Sequence, residues 1–324
     1  MICKENGKIY ELQILDKYNS TIVIPSSGIS NLLITYSSGE STTDLNFCNN
    51  LYEGYSKGIS PNIVSENSDD ISTNIVVLEE MKFEKFSRFY IGREAKIPIP
   101  FEIKKVVFPS TLNRASLNGK SFEETFKISV MDFSNCYNLS CSIGTLQRWD
   151  LLEEIHFPEI GEIDFWGGSI TYLPKLKKLI MPWLSKLTNF STVVHQAAFF
   201  KLGLLSDGVD LIFRDILIAE KNNPYLPIIT NCKINRLVIR SIETLDNDTC
   251  SIFDTCLIEE LIIPDDIVIG NLRPSQIFKN CEIKKCTVYR GCDCKGSSPS
   301  WFDPEEVEMI TTTESFDKIY EELR

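Results

Sequence analysis

Two histidines and eleven cysteines are the side chains of this 324-residue sequence best suited to nucleophilic or metal chemistry. Neither His156 nor His195 sits in a metal-ligand pattern or beside a nucleophile elbow. The sequence has no P-loop, no dinucleotide fingerprint and no H-E-x-x-H. Adjacent acids such as Glu153-Glu154 point to opposite sides of a strand, so they cannot share a proton as a catalytic pair. Cys281, Cys286, Cys292 and Cys294 fall within 14 residues and could hold zinc as thiolates. Two of them, Cys281 and Cys286, also occupy positions of an internal repeat, which leaves a lone C-x-C. The expectation is a chain with no catalysis, no cofactor and no metal.

The elements that position these residues are set by that repeat. Leu152-Glu-Glu-Ile-His-Phe-Pro158, Leu176-Lys-Lys-Leu-Ile-Met-Pro182 and Ile258-Glu-Glu-Leu-Ile-Ile-Pro264 share the template L-x-x-L-x-L-P. Looser copies start at Ile103, Ile128, Gly208, Ile234 and Ile283. The eight starts, at 103, 128, 152, 176, 208, 234, 258 and 283, are 25, 24, 24, 32, 26, 24 and 25 residues apart. A period of 20–29 residues marks a solenoid. The step of 32 implies a longer turn within 184–207, where Val193–Phe200 could form a helical turn.

A second signal precedes the strand: Ile229-Thr-Asn-Cys232, Phe253-Asp-Thr-Cys256 and Phe278-Lys-Asn-Cys281, with Phe133-Ser-Asn-Cys136 spelled alike. Together the two signals resemble the BspA-like class of leucine-rich repeats. Here the cysteine stands two residues before the template rather than three, and the usual alanine before the aromatic is absent. The resemblance implies a repeat solenoid, mostly β, with short turns, few helices and a parallel sheet on one side. Within a strand, alternate residues point inward, so stacking successive units builds a continuous core. Charge doublets that mostly alternate in sign, Lys104-Lys105, Glu153-Glu154, Lys177-Lys178, Asn235-Arg236, Glu259-Glu260 and Lys284-Lys285, fit the same register.

The outward column then reads Val107, Asp132, His156, Ile180, Ile212, Val238, Ile262 and Thr287. Branched residues suit strands even when exposed. An apolar stripe with a charged rim, here Lys178, Asp210 and Arg236, also suits a partner-binding face. Both readings stand at this point; the longest apolar part is Ile180, Ile212 and Val238.

Residues 1–101 read as an N-terminal cap with irregular repeats, or as a separate small β domain; 102–289 form the solenoid, and 290–324 a linker and C-terminal helical cap. Ile9–Ile14 and Thr21–Ile24 read as a hairpin, Asp303-Pro-Glu-Glu as a helix start, and Phe316–Leu323 as an amphipathic segment covering the solenoid's open end. The net charge of −12 argues against nucleic acid and against an anionic membrane. No apolar run is long enough to span a bilayer, and the start lacks the pattern of a secretory signal, so a cytoplasmic protein is expected, or one carried in a virion. The expected function is non-catalytic recognition of a protein or glycan partner on the sheet; the alternative is a structural part of a larger assembly such as a virion or viral tail.

Overall fold

Parallel strands at the repeat positions are present in a computed structural model, which describes residues 2–6, 9–14, 21–24, 31–36, 43–46, 62–65, 76–84, 86–91, 101–118, 126–159, 162–165, 168–184, 197, 199–218, 227–244, 251–269, 277–291 and 307–324. The chain packs as two compact units, Met1–His156 and Phe157–Arg324. In the first, the main sheet runs Ile2–Asn6, Ile9–Ile14, Asn31–Tyr36, Val76–Glu84, Phe101–Val107, Phe126–Asp132, Glu154–His156. In the second it runs Lys178–Leu184, Val209–Ile218, Lys233–Val238, Leu257–Pro264, Glu282–Arg290, Glu308–Ser315. Apart from the first pair, which is antiparallel, neighbours are parallel. The chain is a mostly β repeat solenoid with few helices.

The inward positions carry the core. Val106, Met131 and Ile155 in the first unit, and Leu179, Leu211, Leu237, Leu261 and Cys286 in the second, are buried. In the first unit the phenyl rings of Phe108 and Phe133 stack with centroids 4.3 Å apart. Each such side chain supplies about 1.5–3 kcal/mol of burial that no single strand could secure alone.

The side of the coil expected to be turns forms a second parallel sheet. In the second unit it consists of Ile170–Leu173, Phe199–Leu202, Ile229–Thr230, Phe253–Asp254 and Phe278–Lys279. Phe199 pairs with Ile229, Ile229 with Phe253, and Phe253 with Phe278, so the aromatic of the preceding signal is a core column. Each coil then turns through one left-handed residue, Tyr172, Lys201, Asn231, Thr255 or Asn280, at φ between 52° and 58°. The turn residues bond to the next coil: Thr255 N–H donates to Lys279 O at 3.0 Å, and Asn231 N–H to Asp254 O at 3.3 Å. Phe133-Ser-Asn-Cys136 is a different structure under the same spelling. Phe133 ends a main-sheet segment, and Cys136 closes a turn by donating its N–H to Phe133 O at 2.8 Å.

The ends depart from expectation in the pairing of Thr21–Ile24 and in the position of the C-terminal helix. Ile9–Ile14 pairs with Ile2–Asn6, whereas Thr21–Ile24 pairs with Asn62–Ser65, so the expected hairpin is not formed. Residues 303–306, the expected helix start, lie outside the described residues, and the chain continues from there as the strand Glu308–Ser315, which is rich in β-branched threonine. His195 and most of the 193–200 segment also lie outside; Phe199 and Phe200 belong to a strand. The amphipathic segment is a helix, Phe316–Leu323, but it does not lie where it was expected.

Candidate functional site

The C-terminal helix presents Phe316, Ile319, Tyr320 and Leu323 at the i, i+3, i+4, i+7 spacing that makes one apolar face. That face lies on the outward column of the second unit. Ile180, Ile212, Val238, Ile262, Phe316 and Tyr320 form one buried cluster, with Tyr289, Ile319 and Leu323 packed against it. Eight helical residues span about 12 Å, and four adjacent strands about 14 Å. A helix crossing the strands can therefore touch all four coils.

Polar contacts fix both ends of the helix. Arg240 Nη1 donates to Asp317 Oδ1 at 2.9 Å. Lys178 Nζ donates to Arg324 O at 3.1 Å, and the Arg324 guanidinium pairs with Glu159. Tyr320 lies between them with its hydroxyl buried and without a hydrogen-bond partner. Burial chiefly, together with the acids Glu321 and Asp215 and against the pull of Arg214, pushes its phenol up to about 12.

The sequence-predicted residues therefore fall into three groups. Ile180, Ile212, Val238 and Ile262 are 0–5% exposed, so the apolar stripe is covered surface, sealed by the chain's own helix. Lys178, Asp210 and Arg236 form the expected charged flank. Arg236 pairs with Asp210, which also accepts from Asn235 Nδ2 at 2.8 Å. The ladder continues through Glu260, which accepts from Lys285 Nζ at 2.8 Å and from the Thr287 hydroxyl. The hydrogen bond to Asp210 is the main cause of the raised Arg236 pKa; Glu260 adds to it.

In the first unit Val107 and Asp132 are buried and His156 is half-buried. Burial opposes ionisation of Asp132, but hydrogen bonds from Lys105 (2.6 Å) and Ser134 outweigh it and hold the carboxyl below its ordinary range. His156 Nε2 lies 3.1 Å from Glu154 Oε2. Both side chains are partly exposed, at 27% and 40%.

Cys232, Cys256 and Cys281 are free thiols, and each Sγ donates to the carbonyl two residues before it. Among the described residues no group of three or more His, Cys, Asp or Glu is arranged to hold a metal, and Cys292 and Cys294 lie outside those residues. The residues that sequence reasoning missed are Phe316 and Tyr320 as occupants of the stripe. Their spacing was visible; the partner of their apolar face was not. Comparison with protein-family models, with curated proteins and with solved structures finds no match for this chain.

Proposed function

We propose that this chain is a non-catalytic recognition protein that takes a protein partner on the outer face of its main sheet. One observation carries the reading: four stacked coils present Ile180, Ile212, Val238 and Ile262 as an apolar groove, and an amphipathic helix fills it. The groove has the features of helix-in-groove recognition, with apolar anchors at i, i+3, i+4 and i+7 and charged groups at the rim. Lys178 and Arg240 supply that rim, where charge sets orientation and on-rate more than affinity. On this reading the C-terminal helix is the groove's resident occupant, and a partner helix replaces it.

The test uses a chain ending at Ser315 and a fluorescently labelled peptide of residues 315–324. Saturable binding that Val238→Glu abolishes is the expected result. A folded, truncated chain that binds neither this peptide nor a longer one from residue 307 would refute the reading.

A further inference from the structure

In the second unit one coil is longer than the three that follow it. From the aromatic column to its partner position on the main sheet the chain takes five residues in three coils: 229 to 234, 253 to 258 and 278 to 283. In the coil of Phe199 it takes ten, from 199 to 209. The extra length lies in the loop 203–208, with Leu204 46% and Leu205 74% exposed.

This loop is tied down along its length. Gly203 N–H donates to Leu173 O at 3.1 Å and Leu205 N–H to Pro174 O at 2.8 Å. Ser206 Oγ donates to Leu176 O at 3.0 Å and accepts from Gly208 N–H at 3.2 Å, and Lys233 Nζ donates to Ser206 O at 3.0 Å. Gly203 and Gly208 have positive φ, and a Cβ on either would lie 2.7 Å from backbone of the next coil. Leu204 and Leu205 stand side by side in water on an anchored loop, and a partner that covered them fully would gain up to about 1.5–3 kcal/mol from each.

The surroundings differ from the rest of an acidic chain. Lys175 and Lys177 stand exposed on the turn that accepts the loop's hydrogen bonds, and Lys233 reaches the loop itself. Lys201 lies over the rings of Tyr172 (5.3 Å) and Phe200 (5.1 Å), which meet edge to face. Asp207 is the one acid within the loop. Two exposed leucines, amphipathic aromatics and four lysines match the chemistry of an anionic lipid surface, where each lysine adds attraction and the apolar tips enter the headgroup boundary. The chain's net charge of −12 does not forbid this, since acids more than about 8 Å away are screened at physiological salt.

We propose that the loop 203–208 is a membrane-contact element that seats Leu204 and Leu205 in an anionic lipid surface with Lys175, Lys177, Lys201 and Lys233 around them. The test is co-sedimentation of the full chain with phosphatidylcholine vesicles carrying about one-third phosphatidylserine. Binding should fall at least about tenfold in a Leu204→Ser/Leu205→Ser variant and in a Lys175→Glu/Lys177→Glu variant, and should weaken with salt. Leu204 and Leu205 are exposed, so the melting temperature of the leucine variant should not move. Absence of wild-type binding, or equal binding by the leucine variant, would overturn the proposal. Self-association of the wild type that the leucine variant loses, without vesicle binding, would overturn it in favour of a protein contact.

Discussion

Val238→Glu is the sharpest perturbation of the helix-filled face. Val238 is fully buried beneath the C-terminal helix, between Ile212 and Ile262 on neighbouring strands. A glutamate there has two routes. Staying under the helix leaves a carboxylate without a partner in an apolar site, a cost of several kcal/mol. Releasing the helix instead forfeits the burial that Phe316, Tyr320, Ile319 and Leu323 share with the stripe, but the eight helical residues regain their conformational freedom. That regained entropy offsets part of the lost docking energy, whereas nothing offsets the buried carboxylate, so release is the cheaper route. The solenoid should remain folded while the helix leaves. Trypsin reports this directly, because Lys318 is exposed but lies within the helix and is protected while the helix is docked. Cleavage after Lys318 should be fast in Val238→Glu and slow in Val238→Leu and the wild type, with dye binding to the bared stripe and little loss of far-ultraviolet β signal. Unchanged cleavage in a folded Val238→Glu chain would refute the packing argument, and global unfolding would refute the claim that the helix is the weaker element.

Three further outcomes are expected from the same geometry. The Tyr320 phenol is raised to about 12, above the ordinary value near 10, so the docked helix is fully favoured below pH 10 and loses that contribution as pH rises toward 12; alkaline release of the helix should be weaker in Tyr320→Phe, followed by the same tryptic cut. Thr255 is a β-branched residue at φ 53°, where its equivalents 231 and 280 are asparagine, so Thr255→Asn should stabilise by about 0.5–1 kcal/mol in urea unfolding. Leu261→Asp should cost several kcal/mol because that position is fully buried in the core, whereas Glu260→Asp should cost far less.

Long strands were legible in the sequence because their alternation fixes the register. Ile180, Ile212, Val238, Ile262 and Thr287 are successive register partners, and so are Asp210, Arg236, Glu260 and Lys285. The second sheet was not legible, because strands such as Phe253–Asp254 contain two residues, too few for any period to show. Phe133-Ser-Asn-Cys136 misled for a related reason: a four-residue spelling does not say on which side of the coil it falls. The helix was visible as an apolar face and the stripe as an apolar column, yet neither pattern names its counterpart. The sequence ambiguity between strand propensity and a binding face came from that gap: the branched residues are covered, and the cover is intramolecular.

A helix laid across four coils changes how a solenoid holds together. Stacked repeats normally couple only to their neighbours, so stability is close to a sum of local terms and the ends fray. Phe316 and Tyr320 lie on a cluster reaching from Ile180 to Ile262, which ties together coils that share no strand pairing. The Arg240–Asp317 and Lys178–Arg324 contacts extend that tie across the same span. The last strand, Glu308–Ser315, leads directly into the helix, so fraying of the terminal coil pulls on coils several positions back. Removing residues 316–324 should therefore do more than lower the midpoint of unfolding. It should also lower the slope of the urea transition, because coils released from the helix can open a few at a time. A truncated chain with a lower midpoint and an unchanged slope would mean that neighbour pairing alone carries the cooperativity, and that the helix contributes burial without coupling.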